Sequence, residues 1–237
     1  MVAERKKRKS GYMMLQERDL KMITFVAKFG YCNEDHLRWL IGLTQEKDKN
    51  NFNLLVNRLE RHGYLEKIKL IAKQPAFILL GKVASELLAI PKPKGLVLHT
   101  LKHDMLAIDL YIGMTTKYPN YEIKTEREIR IVEGLSLNHR QQVPDLLVNK
   151  SIAVEIELTA KSNDRLQQIV NSYLVKDNYS HVLYYVRSKS LGYKIYNYSG
   201  RSPKFQVFYF DEDIVSATEL PMDEAIASQF LSDSNDE

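Results

Sequence analysis

Cysteine is almost absent from this chain: Cys32 is the only one among 237 residues. An intrachain disulfide and a thiolate zinc cluster are both excluded, which fits a reducing cytoplasm. With no activating base identifiable, Cys32 reads as a small core residue. Long apolar runs are missing as well. No stretch approaches the roughly 18 uninterrupted apolar residues that a membrane span needs. No apolar segment follows the basic N-terminus, so it is not read as a secretory signal. Internal repeats and a glycine-rich phosphate loop are absent, which argues against nucleotide hydrolysis. What is abundant is apolar and aromatic material. Hydrophobic residues make up 44% of the chain and there are 14 tyrosines, enough for the core of one large or two small domains.

The net charge is only +4, yet acids and bases are segregated. In the first ten residues Arg5, Lys6, Lys7, Arg8 and Lys9 face Glu4 alone, for +4. The last twenty hold Glu219, Asp223, Glu224, Asp233, Asp236 and Glu237 without one Lys or Arg, for −6. The body between therefore carries +6 (4 − 4 + 6). A basic arm (1–14) on a basic body fits an anionic polymer as partner, although a merely solvated arm has the same composition. The acidic tail (219–237) is expected to hold a short helix over 222–230 and to lack order beyond it.

Leu20, Ile23, Val26 and Ala27 set a helical stripe over 15–28, which Gly30 ends. Asn33 is a cap for a second helix over 34–41, with Leu37, Leu40 and Ile41 inward and Gly42 after it. Thr44 can cap a third helix over 45–62, which stops at Gly63. Its inner stripe is Phe52, Leu55, Val56 and Leu59. The opposite face holds Lys47, Asn50, Asn51, Leu54, Asn57, Arg58 and Arg61. Asn side chains pair with adenine edges, and Arg with guanine or phosphate. Two strand-like runs follow, 64–71 and 76–80, with a bend at Lys73, Gln74 and Pro75. Three short helices and a hairpin is the order of a winged helix-turn-helix domain, expected over 15–90. In that fold the third helix enters the major groove and the hairpin touches the backbone. The candidate DNA contacts are Lys47, Asn50, Asn51, Asn57, Arg58, Arg61, Lys67 and Lys73. The plainer reading is a solvated or protein-binding helix face.

A short helix over 81–89 precedes Pro91, Pro93 and Gly95, which break regular structure and set a boundary. The second domain is expected over 91–218. It opens with a long helix, 96–117, on which His99 and His103 lie four apart. That spacing is a metal half-site, or a satisfied histidine pair. Residues 121–131 alternate like a strand or a pair of short ones, with Glu126 in mid-run, and 134–142 read as a loop. Strands over 143–148 and 152–158 are joined by Asn149, Lys150 and Ser151. A helix from Ser162 or Asn163 to about 176 carries the stripe Leu166, Ile169, Val170, Tyr173 and Leu174. Residues 181–186, 193–196 and 205–210 read as further strands. The expected architecture is a mixed α/β sheet covered by helices, and α+β for the whole chain.

Three acids interrupt the apolar pattern of the two central strands: Asp145, Glu155 and Glu157. A buried carboxylate without a partner is costly, so such acids are paired, exposed or part of a site. Glu155 and Glu157 fall on one strand face, while Val154, Ile156 and Leu158 fall on the other. Converging carboxylates suit a divalent cation. The structural alternative pairs them with backbone N–H groups and with Lys or Arg.

The helix–β–β–β–α–β order, with Pro144 and Asp145 followed by Glu155, Ile156 and Glu157, resembles the PD-(D/E)xK nuclease-like core. That resemblance implies Mg²⁺ held by Asp145 and Glu155. Glu126 matches the acid some members supply from the preceding strand. Glu157 occupies the place of the family's usual lysine, a change some restriction endonucleases of the family share, and Lys161 could reach back to the same spot. Residues 15–190 also resemble the replication-relaxation family, which includes MobC-type plasmid mobilisation accessory proteins. The resemblance is carried by the winged helix, the proline connector, the long helix with His99, the Glu126 strand, the V-P-D and E-x-E motifs and a helix ending near Tyr173. It implies binding of double-stranded DNA at or near an origin of transfer or replication, with a relaxase as partner. The leading expectation is a cytoplasmic, non-enzymatic DNA-binding accessory protein of a mobile element. It needs no cofactor to bind DNA, has a homodimer or a relaxase as its protein partner, and has no membrane role. The alternatives are a Mg²⁺-dependent DNA endonuclease and a winged-helix transcriptional regulator.

Overall fold

The computed structural model describes residues 14–210, apart from Ile71, Lys73, Lys94, residues 138–140 and Ala160. The basic arm through residue 13, the acidic tail with its expected helix, and the candidate DNA contact Lys73 lie outside the described residues. The chain divides into two units between Leu98 and His99, just past the breaks at Pro91 and Pro93. The class is α+β.

Unit 1 contains α1 (Glu17–Phe29), β1 (Tyr31–Asn33), α2 (Glu34–Leu40), α3 (Lys49–Arg61), β2 (Leu65–Ile68), β3 (Phe77–Leu80) and α4 (Lys82–Leu87). Gly30 ends α1 in a positive-φ conformation (88°) that a side chain would strain. Asn33 does two jobs. Its side chain accepts the His36 N–H at 2.9 Å to cap α2, and its backbone pairs with Phe77 of β3. The sheet order is β1-β3-β2, antiparallel throughout. Strand β1 was not expected, because three residues are too short to show alternation. The third helix begins later than 45. A 3₁₀ turn, Glu46–Asp48, precedes α3, and Arg38 holds the carbonyls of Leu43, Thr44 and Gln45 in the loop before it. Met22, Ile23, Val26, Leu37, Phe52, Val56 and Leu59 meet Leu65, Ile78 and Leu80 in a buried core. Each such side chain contributes about 1.5–3 kcal/mol.

Unit 2 contains α5 (Leu101–Lys117), β4 (Ile123–Thr125), α6 (Glu126–Val132), β5 (Leu146–Val148), β6 (Ile152–Glu157), α7 (Asn163–Leu174), β7 (His181–Val186), α8 (Lys189–Tyr198) and β8 (Phe205–Tyr209). One sheet runs β4-β5-β6-β7-β8. Its first two pairings are antiparallel and its last two parallel. Ala107, Leu110 and Met114 of α5 cover one face, against Val154, Ile156, Leu183 and Tyr185. Helices α7 and α8 cover the other with Leu166, Ile169, Val170, Leu191 and Ile195, against Ala153, Val182 and Tyr184.

Three expectations are corrected here. The long helix starts at Leu101, not at 96. The strand expected over 121–131 is only β4, and Glu126 opens α6 instead of lying in mid-strand. Thr125 accepts the Glu128 N–H while the Glu128 carboxylate accepts the Thr125 N–H. This reciprocal capping box outweighs the alternation. The strand expected at 193–196 lies inside α8. Ser188 caps that helix, and Leu191 and Ile195, four apart, turn to the sheet. Packing at helical spacing overrides the β-preference of a Tyr-Ile-Tyr stretch.

The β5–β6 turn positions the acids. Asn149 and Lys150 both take positive φ, 46° and 64°, and the Ser151 N–H returns to the Val148 carbonyl. This is a type I′ turn, the kind that matches strand twist. It sets Leu146 opposite Val154 and Val148 opposite Ile152. Asp145, one residue before Leu146, therefore stands beside Glu155, one residue after Val154.

Candidate functional site

Two groups of side chains are the candidates, one in each unit. On α3 the buried residues Phe52, Val56 and Leu59 fix which side faces solvent. Asn50, Asn51, Leu54, Asn57 and Arg61 are exposed on that outward side, and Lys47 is exposed in the 3₁₀ turn before it. The candidate bases divide into two kinds. Arg58 donates to Asp19 Oδ1 at 2.5 Å, and Asp19 is fully buried and also accepts the Gln16 N–H. Lys67 reaches Glu34 at 2.5 Å and Asn53 Oδ1 at 3.3 Å, while Glu34 accepts the Ala76 N–H. Arg58 and Lys67 therefore tie elements of unit 1 together. Lys47 and Arg61 are the described candidate cations on open surface.

In unit 2 every residue of β6 is buried, including Glu155 and Glu157. These two acids share the face toward α7, as their alternate spacing requires. Asp145 Oδ2 accepts the Ile156 N–H at 2.7 Å, so the carboxylate is pinned to the neighbouring strand. The same oxygen lies 3.2 Å from His103 Nε2, and His103 Nδ1 lies 3.2 Å from Asp104. Glu155 Oε1 accepts from the Tyr173 hydroxyl, and from Gln142 Nε2 at 2.9 Å. Lys161 donates to Glu157. Glu126 lies beside this group because its N–H bonds to the Asp145 carbonyl at 2.9 Å, and it pairs with Arg130 at 2.7 Å. The chain thus gathers Asp145, Glu155, Glu157, Glu126 and Lys161. His99 is exposed, while its neighbour His103 enters the cluster.

Burial, then the Asp145 charge, push the Glu155 carboxyl up to about 8, against Tyr173, Lys161 and Gln142. Burial also raises Glu157, with Lys161 opposing. Burial and Asp145 raise Glu126, with Arg130 opposing. Burial opposes the charge on His103, but Asp145 and Asp104 prevail and hold its pKa near 11. At neutral pH the cluster pairs the His103 imidazolium with a Glu155 carboxyl that retains its proton.

Those partners bear on the Mg²⁺ that the nuclease resemblance implies. Each acid already has an internal hydrogen-bond partner. Among the described residues no three His, Cys, Asp or Glu side chains are gathered as a ligand set. A cation at Asp145 and Glu155 would have to displace His103, Tyr173 or Gln142, so the arrangement offers no step through one. Sequence reasoning did not assign Gln142 or Tyr173 to the cluster. Tyr173 lay hidden in an apolar helical stripe, and Gln142 in a polar loop. The only sequence signal was that Gln142 directly precedes the V-P-D motif. No family model, curated protein or solved structure matches this chain.

Proposed function

We propose that the chain is a DNA-binding accessory protein of a mobile element, acting on double-stranded DNA at an origin of transfer or replication beside a relaxase. The observation that carries the DNA reading is the outward stripe of α3, where Asn50, Asn57 and Arg61 are exposed with Leu54 among them, and Lys47 is exposed in the turn before it. The amides can read adenine edges, Leu54 can meet a thymine methyl, and the cations can neutralise phosphate. The order α1–β1–α2–α3–β2–β3 supports a winged helix-turn-helix reading, in which this stripe enters the major groove. The order α5–β4–α6–β5–β6–α7–β7 supports a PD-(D/E)xK-like scaffold in unit 2, with α6 as an added helix between its first two strands. The relaxase and the origin come from the sequence resemblance alone.

The test begins by selecting duplex fragments that bind the full-length protein, then measuring anisotropy at moderate salt. Arg61→Glu is expected to weaken binding at least about tenfold and to reduce the salt slope by about one. Asn57→Ala is expected to cost about tenfold on the selected duplex and less on scrambled DNA. Unchanged affinity in both variants sinks the α3 reading.

A second reading is favoured by one observation: Lys161 reaches back to Glu157, beside Asp145. A lysine near the second acid is a feature of phosphodiester hydrolysis, and the bonds of His103, Tyr173 and Gln142 to the acids stand against it. Plasmid nicking with Mg²⁺ or Mn²⁺ that disappears in Asp145→Asn is the result this reading expects. No cleavage across both ions and several substrates leaves unit 2 as a scaffold.

A further inference from the structure

From Asn178 to Phe210 the chain contains no Asp or Glu, but it contains five cations, Arg187, Lys189, Lys194, Arg201 and Lys204. Asp177 precedes the stretch and Asp211 follows it. Helix α8 lies in the middle. Leu191 and Ile195 turn inward, leaving an outer face on which Tyr193 is 66% exposed and Tyr196 is 44% exposed. The two rings are three residues apart, so they project from one side of the helix. The Arg201 guanidinium lies over the Tyr196 ring at 5.6 Å. Lys189 is exposed one turn before Tyr193, and Lys194 is exposed with its amine on the neutral Asn163 side chain, keeping its charge unspent. A third ring, Tyr209, also 44% exposed, lies against Gly192, where a Cβ would have no room. Lys204 is not part of this surface, since its amine caps the carbonyls of Tyr173 and Lys176.

One exposed ring is ordinary on a protein surface, but two on one side of a helix with three cations beside them form a stacking surface. Duplex DNA offers them nothing, because its bases are already stacked. An unpaired base has an open π-face, and its phosphate suits the flanking cations. We propose that the outer face of α8 binds single-stranded nucleic acid, with bases stacked on Tyr193 and Tyr196 and phosphates held by Lys189, Lys194 and Arg201. The site lies in unit 2 and does not depend on α3. Charge complementarity selects the ligand, and ring exposure selects its single-stranded form. If the chain acts where a strand is displaced, this face would hold that strand while α3 holds the duplex.

The experiment uses the full-length chain with labelled oligo(dT) of about 20 nucleotides, the matching oligo(rU), and a duplex of the same length. Wild type is expected to bind the single strands with strong salt dependence. Tyr193→Ala with Tyr196→Ala is expected to lose at least about tenfold on single strands and nothing on duplex. Tyr193→Phe with Tyr196→Phe keeps the rings and is expected to bind like wild type. Arg61→Glu is expected to do the reverse, losing duplex and keeping oligo(dT), so failure at α3 and failure at α8 are separable. Comparison of dT with rU says which polymer is preferred. The proposal is overturned if wild type binds neither single strand, or if the alanine pair leaves both affinities unchanged. It is also overturned if the pair changes sedimentation while single-strand binding stays intact, which would assign the face to a second copy of the chain.

Discussion

Arg58→Met is expected to destabilise unit 1 by roughly 2–4 kcal/mol, although Arg58 sits among residues that read as DNA contacts. The reason is Asp19. It is fully buried, and two donors satisfy it, the Gln16 N–H at 2.9 Å and Arg58 at 2.5 Å. Methionine keeps the aliphatic stem of Arg58 packed and removes only the charged head. Asp19 then holds a buried charge with one neutral donor left. Losing one member of a buried pair costs more than the pair itself contributes, because the survivor stays desolvated. The estimate falls below the fully buried range because the Arg58 side chain is 33% exposed. Trp39 is the only tryptophan and belongs to unit 1, so its fluorescence reports this unit in a urea titration. Adding Asp19→Asn removes the stranded charge and keeps an acceptor for Gln16. The double variant is expected to recover much of the loss. A single variant as stable as wild type, or a double variant no better than the single, contradicts this account. Per folded molecule, Arg58→Met is expected to bind DNA nearly normally, in contrast to Arg61→Glu.

Why the two arginines differ could not be read from the sequence. On a helical wheel Arg58 and Arg61 both fall opposite Phe52, Val56 and Leu59. The wheel gives direction around one helix but not what stands beside it. Asp19 lies 39 residues away, and in α1 it reads only as a first-turn acid that complements the helix dipole. Lys67 repeats the lesson, since its partner Glu34 is distant in the chain. By contrast, the helix ends were legible wherever a local rule governs them. Gly30 and the Asn33 cap behave as their side chains dictate. Two of the misread ends, at Thr44 and Glu126, are places where a second local device competed: the Arg38 grip on the carbonyls, and the Thr125–Glu128 capping box.

The acidic cluster was legible for a related reason and only to the same depth. Alternation places Glu155 and Glu157 on one face, and a turn of fixed geometry brings Asp145 beside them, so three of the acids follow from short-range rules. Their partners do not. These are Tyr173 and Gln142 at Glu155, Lys161 at Glu157 and His103 at Asp145. Converging carboxylates look like a cation site when nothing else is known. With those partners present they form a proton-sharing network.

That network predicts the pH dependence of Glu155→Gln. The Glu155 carboxyl is raised by burial and by Asp145 from 4.5 to about 8 in the folded chain. The folded state therefore holds a proton that the unfolded state has released. The associated stabilisation is fully present below about pH 4.5 and is lost as pH rises through about 8, amounting to several kcal/mol at about 1.4 kcal/mol per unit. His103 has the same sign in a higher window. Its pKa near 11 gives stability that is complete below about 6.5 and fades toward 11. Between pH 5 and 6.5 Glu155 contributes to the slope together with Glu157 and Glu126, whose carboxyls burial also raises. Glutamine reproduces the protonated acid, since its oxygen can still accept from Tyr173 and Gln142. The variant is expected to match wild type near pH 4.5, to lose about 2 kcal/mol less than wild type by pH 6.5, and to be clearly the more stable at pH 8. Urea midpoints followed by far-UV circular dichroism measure this, because Trp39 does not report on unit 2. If Glu155→Gln keeps the wild-type slope between pH 5 and 6.5, the proton is not on Glu155. A steepened slope would place an ionised Glu155 in the folded chain, and with it the bare carboxylate that a cation site requires.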